Sequence, residues 1–148
     1  MKYIEAPTVY EGEEKSLFLA GSITNAPDWQ RIIVNLLKDE EIVILNPRRK
    51  HFSINDQKAA PTQIAWEYEH LRKATAISFW FSKETLNPIV LYELGAWLMS
   101  KKPVFVGIEP EYQRRRDVEI QTELVRPDVK IVNDLHALSE QIKLWINK

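Results

Sequence analysis

Three observations predict an α/β sandwich built on a parallel sheet. Short runs of continuous apolar residues, Ser16–Ala20, Ile42–Leu45, Ala76–Phe81 and Val104–Val106, suit strands covered on both faces. Stretches with apolar residues at helical spacing lie between them, and a further run, Val129–Val132, follows. Small and polar residues come directly after the first three strands, where ligands bind in such sheets. Five strand–helix units fit a three-layer sandwich with the flavodoxin-like order 2-1-3-4-5.

Each element has its own signal. Residues 1–14 are polar and carry Pro7 and Gly12, which suits an arm or a short edge element. Gly21-Ser-Ile-Thr-Asn25 is a turn; Asn25 is placed to cap, and Pro27 to open, a helix through Trp29, Ile32, Ile33, Leu36 and Leu37. Asn46-Pro47 ends the second strand. The basic and polar stretch from Arg48 to Gln57 is long for a strand–helix connection, the mark of a functional loop. Pro61-Thr62 opens a helix with Ile64, Leu71 and Ala74 on its inner side. The third strand, the polar loop Ser82–Thr85 and an apolar helix over 88–100 follow. The charged loop Glu109–Arg116 leads to a short helix over Asp117–Leu124, which Pro127 breaks. Asp134 caps a last helix carrying Leu135, Leu138, Ile142, Leu144 and Trp145. No repeat or second domain interrupts residues 1–148, so one domain is expected.

Composition narrows the function classes. At 148 residues, 45% hydrophobic and 28% charged, the chain is long enough for one ordinary core. A formal net charge of −1 gives no reason to expect a nucleic acid or a membrane surface as partner. The absence of cysteine removes disulfides and thiolate chemistry. No apolar run approaches the roughly 20 residues of a membrane span, and the N-terminus lacks an apolar signal core; a cytoplasmic protein is expected. There is no Gly-x-Gly-x-x-Gly or phosphate-loop pattern, and His51, His70 and His136 stand far apart. Neither a cofactor nor a metal is therefore expected.

Carboxylates remain. Glu93 is the lone acid among Ile89, Val90, Leu91, Tyr92, Leu94, Ala96, Trp97 and Leu98. An unpaired buried carboxylate is costly, so it either lies on a narrow polar stripe or opens onto a pocket. Glu67, on the preceding helix, is a second acid. Two carboxylates at one pocket can divide glycosidic chemistry, one attacking C1 of a sugar and the other moving a proton or holding the sugar. Spacing alone does not separate this from two surface glutamates. Ser22 lacks an evident base and is better suited to donate at a strand–helix turn.

Four motifs carry more than pattern: Phe18-Leu-Ala-Gly-Ser-Ile23, Asn46-Pro-Arg-Arg49, Trp66-Glu with Leu71, and Tyr92-Glu-Leu-Gly95. In order and placement they resemble the nucleoside 2-deoxyribosyltransferase family, over about residues 16–108. The resemblance implies cleavage of the N-glycosidic bond of a 2′-deoxynucleoside, with Glu93 attacking C1′ and another base or water accepting the sugar. It places Glu67, one methylene longer than the usual Asp, as the second acid. Six residues before the nucleophile transferases tend to have Asp and the related 5′-phosphate N-hydrolases Ser; here it is Asn87. Ile89 and Leu91 replace glycines common in both groups, which narrows the pocket.

The expected pocket lies at the carboxyl edge of the first three strands. Gly21, Ser22, Ile23, Asn46 and Asn87 line it with Glu93. Arg48, Arg49 and Gln63 would supply a donor to the base or hold a phosphate. Phe18 or Trp29 would stack on the base, unless they are core aromatics. The partner is a small deoxynucleoside or deoxynucleotide. A 2′-deoxynucleoside 5′-phosphate N-hydrolase and a non-catalytic nucleotide sensor are the alternatives; glycohydrolase action on NAD rests on fold analogy alone. Tyr92, Trp97, Leu98 and Met99 cannot all face one sheet, and Trp66 and Tyr68 add to the excess. A dimer-based homo-oligomer is therefore expected, unless the N-terminal arm covers that face. The resemblance implies the same helix packing across subunits, with each site completed by its neighbour.

Overall fold

The structure, a computed structural model, describes residues 1–50 and 59–148. Ten elements follow along the chain: β1 Lys2–Glu5, β2 Ser16–Gly21, α1 Trp29–Leu36, β3 Val43–Asn46, α2 Ala59–Lys73, β4 Ala76–Phe81, α3 Pro88–Leu98, β5 Val104–Ile108, α4 Arg115–Val125 and α5 Leu135–Ile146. Much of the expected 48–57 loop, with His51, lies outside the described residues. No helix among the described residues is long and apolar enough to cross a membrane.

The strands form one parallel sheet of order β1-β3-β2-β4-β5. Its β3-β2-β4-β5 part is the expected 2-1-3-4 arrangement. The fifth strand comes from the opposite end of the chain. Lys2–Glu5 pairs with β3 in the register Lys2↔Val43 to Glu5↔Asn46, whereas Val129–Val132 contributes only an isolated bridge, Gly107↔Val132. At that bridge Ile108 N–H donates to Val132 O and Val132 N–H to Val106 O. Val129 is buried in the core without pairing to a strand, and Pro127 and Asp128 form a turn before it.

Side chains alternate across the sheet, as a pleated strand requires. Phe18 and Ala20 of β2, with Ile77, Phe79 and Phe81 of β4, point to the face covered by α2, α3 and α4. Leu17 and Leu19, with Ala76 and Trp80, point to the face covered by α1 and α5. The caps differ in one place from expectation. Asp134 does cap α5, accepting from Ala137 N at 2.7 Å. Asp28 rather than Asn25 caps α1, because Asn25 sits in the left-handed region at φ 56° and stays inside the turn.

The residues after β1 are fastened to α2. Trp66 Nε1 donates to Thr8 O at 2.8 Å, and Tyr10 N–H donates to His70 Nε2 at 3.0 Å. His70 is buried, stacks on Trp66 and lies 2.7 Å from Trp66 O through Nδ1. With Nε2 accepting, Nδ1 carries the proton and the ring is neutral. This arm covers the Trp66–His70 side of α2 and leaves the side facing α3 open. Ile64, expected on the inner side of α2, is 65% exposed there.

Candidate active site

Helix α3 buries Val90, Leu94 and Leu98, a stripe at i, i+4 and i+8 directed at the sheet. Its other side is open: Ile89 is 64% and Tyr92 79% exposed. Both α2 and α3 lead into strands of one parallel sheet and so run the same way. Between them lies a groove of about 600 Å³, lined by Ile64, Glu67, Tyr68 and Leu71 of α2 and by Ile89, Tyr92, Glu93 and Trp97 of α3, among others. Its walls are mostly apolar. Two carboxylates enter it, one from each helix.

The environments of these two acids differ. Glu67 Oε1 accepts from Gln63 Nε2 at 3.1 Å. That amide also donates to Pro47 O at 2.7 Å, and its oxygen accepts from Arg49 Nε at 2.6 Å. Burial pushes the Glu67 carboxyl above its ordinary range, while Gln63 and the Arg49 charge pull against that. Among the described residues Glu93 has no such support. Burial, and then the Glu67 charge, push its carboxyl up to about 8. Each carboxylate thus makes the other harder to ionise, and only Glu67 receives a donated hydrogen bond among the described residues.

The residues expected to line a single pocket fall into three groups. Glu67 and Glu93 meet in the groove. Gly21, Ser22 and Asn87 belong to a cluster at the carboxyl edge of the sheet and are not in the groove lining. Thr85 joins them: Ser22 Oγ lies 2.9 Å from Thr85 Oγ1, which donates to Asn87 Oδ1 at 2.6 Å. Asn87 Nδ2 returns to Thr85 O, and its φ of 55° sets the turn into α3. Asn46, Arg48 and Arg49 line a separate polar pocket of about 540 Å³ beside β1 and β3. Ile23 is half-buried in the β2–α1 turn.

Several expected ligand contacts are taken by the fold itself. Trp29 and Phe18 are each 1% exposed and belong to the core, so neither ring offers a face to a base. A Cβ on Gly21 would come within 2.4 Å of the Trp29 ring, so that glycine serves internal packing rather than approach of a ligand. Asn46 bonds Tyr3 Oη and Arg48 N–H. The Arg48 guanidinium donates to Ala26 O, Pro27 O and Gln30 Oε1 and so staples the α1 entry turn. Both amide hydrogens of Gln63 are used, one of them by Glu67. Leu91 packs against the core, so of the two glycine replacements only Ile89 narrows the groove.

Arg72, not singled out in the sequence, also lines the groove and lies over the Tyr68 ring at 4.0 Å. The Tyr68–Arg72 and Gln63–Glu67 pairs both have the i, i+4 spacing that brings helix side chains together, and that spacing was the available signal.

The chain is thus of the class of parallel α/β sandwiches, with an acid pair in a groove between two of its helices. The family described as nucleoside 2-deoxyribosyltransferase like matches residues 14–112, and the chain belongs to it. Among solved structures the chain is similar to a conserved protein from Enterococcus faecalis V583, with 16% identity, 88% of this chain and 98% of that one covered, and a TM-score of 0.64. That likeness concerns the fold. No curated protein matches the chain.

Proposed function

We propose that the chain is an enzyme acting on the N-glycosidic bond of a 2′-deoxynucleoside or its 5′-phosphate, with Glu93 and Glu67 as the reacting pair. The observation that carries the reading is the placement of both carboxylates in one apolar groove, in environments that separate their affinities for a proton. Family membership supplies the coarse activity.

The chemistry follows from one shared proton. A bound sugar developing positive charge at C1′ favours an ionised Glu93, and the proton passes to Glu67. Glu93 then attacks C1′, the C1′–N bond breaks with its electrons going to the base, and Glu67 returns the proton to that nitrogen. A second base or water attacks C1′ of the Glu93 ester, and Glu67 removes its proton. Transfer results in the first case and hydrolysis in the second.

Arg72 favours the 5′-phosphate form of the substrate. It is the one cation in the groove lining among the described residues, about 7.5 Å along α2 from Glu67 at 1.5 Å per residue. The assembly completes the proposal: two copies pack their α2–α3 faces together, covering Ile64, Tyr68, Ile89 and Tyr92 and closing each groove with the neighbour.

Intact-protein mass spectrometry with a panel of deoxynucleosides and their 5′-phosphates tests the reading. A gain of one deoxyribosyl unit on the wild type, absent in Glu93→Gln, is expected for transfer; free base alone is expected for hydrolysis. Neither adduct nor free base from any panel member would leave a nucleotide-binding module in its place.

A further inference from the structure

The two carboxylates of the groove are near-equivalent in chemistry, yet only one is held from behind. Gln63 stands one helical turn before Glu67, and every polar atom of its amide is committed. The two hydrogens go to Pro47 O at 2.7 Å and Glu67 Oε1 at 3.1 Å, and the oxygen receives Arg49 Nε at 2.6 Å. The reverse orientation of the amide is excluded. It would set the amide oxygen against Pro47 O and Glu67 Oε1, and the NH₂ against the Arg49 N–H. The loop after β3 therefore dictates that Gln63 offers Glu67 a donor, never an acceptor. Among the described residues nothing equivalent reaches Glu93: what acts on its charge is burial and Glu67 itself.

We propose that Gln63 is a positioning residue: its locked amide makes Glu67 the ionised member of the acid pair and leaves the exchangeable proton on Glu93. A hydrogen bond donated to a carboxylate favours the charged form, and charge-assisted bonds are the stronger kind. The other groups facing the pair are Arg49 behind Gln63, which adds to the effect on Glu67, and Arg72 farther along the groove. Among the described residues the phenols of Tyr68 and Tyr92 and the Ser100 hydroxyl add to its polar lining. The resting enzyme is thus set so that Glu93 becomes a nucleophile only when substrate draws its proton across to Glu67. Oε1 of Glu67 is engaged by Gln63, so Oε2 is the oxygen that receives it.

The proposal rests on the reading of Glu67 and Glu93 as the reacting pair, but its test needs no substrate. Side-chain carboxyl carbons of ¹³C-glutamate-labelled protein are titrated by NMR between about pH 4 and 10, where the two steps belong to the pair and the amplitudes show which residue changes. Signals are assigned with Glu67→Gln and Glu93→Gln. In the wild type the lower step is carried by Glu67, and Glu93 changes near 8. In Gln63→Met and in Gln63→Asn, which withdraws the amide but keeps its polarity, the lower step rises by about one pH unit and its amplitude spreads over both residues. A lower step carried by Glu93 in the wild type overturns the proposal. So does a wild-type titration in whichever Gln63 variant folds. Either failure removes the role of Gln63 and leaves the proposed reaction to the mass measurement.

Discussion

Glu93→Gln should stabilise the protein, and increasingly so as the pH rises. In the unfolded chain the Glu93 carboxyl titrates near 4.5; in the folded one burial and Glu67 hold it up to about 8. The folded state therefore binds the extra proton between those values. The stability linked to it is fully present below about 4.5 and is lost as pH rises through about 8. At ~1.36 kcal/mol per pH unit the interval amounts to about 4–5 kcal/mol as an upper bound. The carboxylate is half-buried in an open groove, and water there screens the charge, so about 2 kcal/mol is the expected size. Gln mimics the protonated acid and escapes the loss. Urea midpoints of wild type and Glu93→Gln are compared at about pH 5 and 9, at fixed protein concentration so that any assembly contributes equally. The variant gains on the wild type by about 2 kcal/mol at the higher pH and by almost nothing at the lower. Lys102, which burial pushes down to about 8, titrates in both proteins and cancels in the difference. Parallel pH curves for the two proteins would refute the buried, strained carboxylate.

Other outcomes follow from the same geometry. The rate of C1′–N cleavage should have a bell-shaped pH dependence, falling below the lower step of the acid pair, where no carboxylate remains, and above about 8, where no proton remains for the leaving base; a rate still rising at pH well above that value would contradict the shared proton. Light scattering over a micromolar dilution series should give at least twice the 17.4 kDa chain mass, and Tyr92→Arg, altering the most exposed aromatic of the α2–α3 face, should return the monomer. A wild-type mass equal to one chain at every dilution would count against the assembly. Burial holds His70 below its usual range, so its contribution is intact above about 6.5 and is lost as pH falls below it. His70→Gln should flatten the acid limb of the stability curve between about pH 6.5 and 5 and cost about 1–2 kcal/mol near neutrality through the Tyr10 and Trp66 contacts; an unchanged acid limb would show that the arm is held by other means.

Much of the sheet was legible because its strands are almost wholly apolar: Leu17–Ala20 and, apart from Ser78, Ala76–Phe81 are apolar and covered on both faces, and their neighbours follow from the order of the units. β1 was legible only as an arm or a short edge element, without its partner. Lys2-Tyr-Ile-Glu is an edge strand with one side open, so its pattern is polar, and its partner β3 is selected by contacts no local pattern contains. Val129–Val132 reads as a strand by composition, yet its main chain meets β5 at one place. In the site, Glu93 was legible as an acid misplaced in an apolar helix, and its pairing with Glu67 only as one of two possibilities. Ser22 is absent from the groove lining and is instead linked through Thr85 to Asn87, a matter of side-chain geometry that no local pattern contains. Arg48 and Trp29 were of the right chemical type for a ligand and are consumed by the fold instead.

The way β1 joins the sheet bears on how the chain acquires its shape during synthesis. A ribosome delivers residues in order, and Lys2 meets its partner only once Val43 has emerged. Tyr10 waits longer still, for His70 sixty positions on. Until Val43 arrives β1 lacks its partner strand, and until His70 arrives the arm beyond it lacks that anchor. The β2–β4 pairing itself joins residues 17–21 to 76–80 and does not involve this late addition. The β1 strand is thus translated before the sheet it completes and is added to it afterwards, and it is the anchoring of the arm beyond it, at Thr8 and Tyr10, that reports α2 already in place.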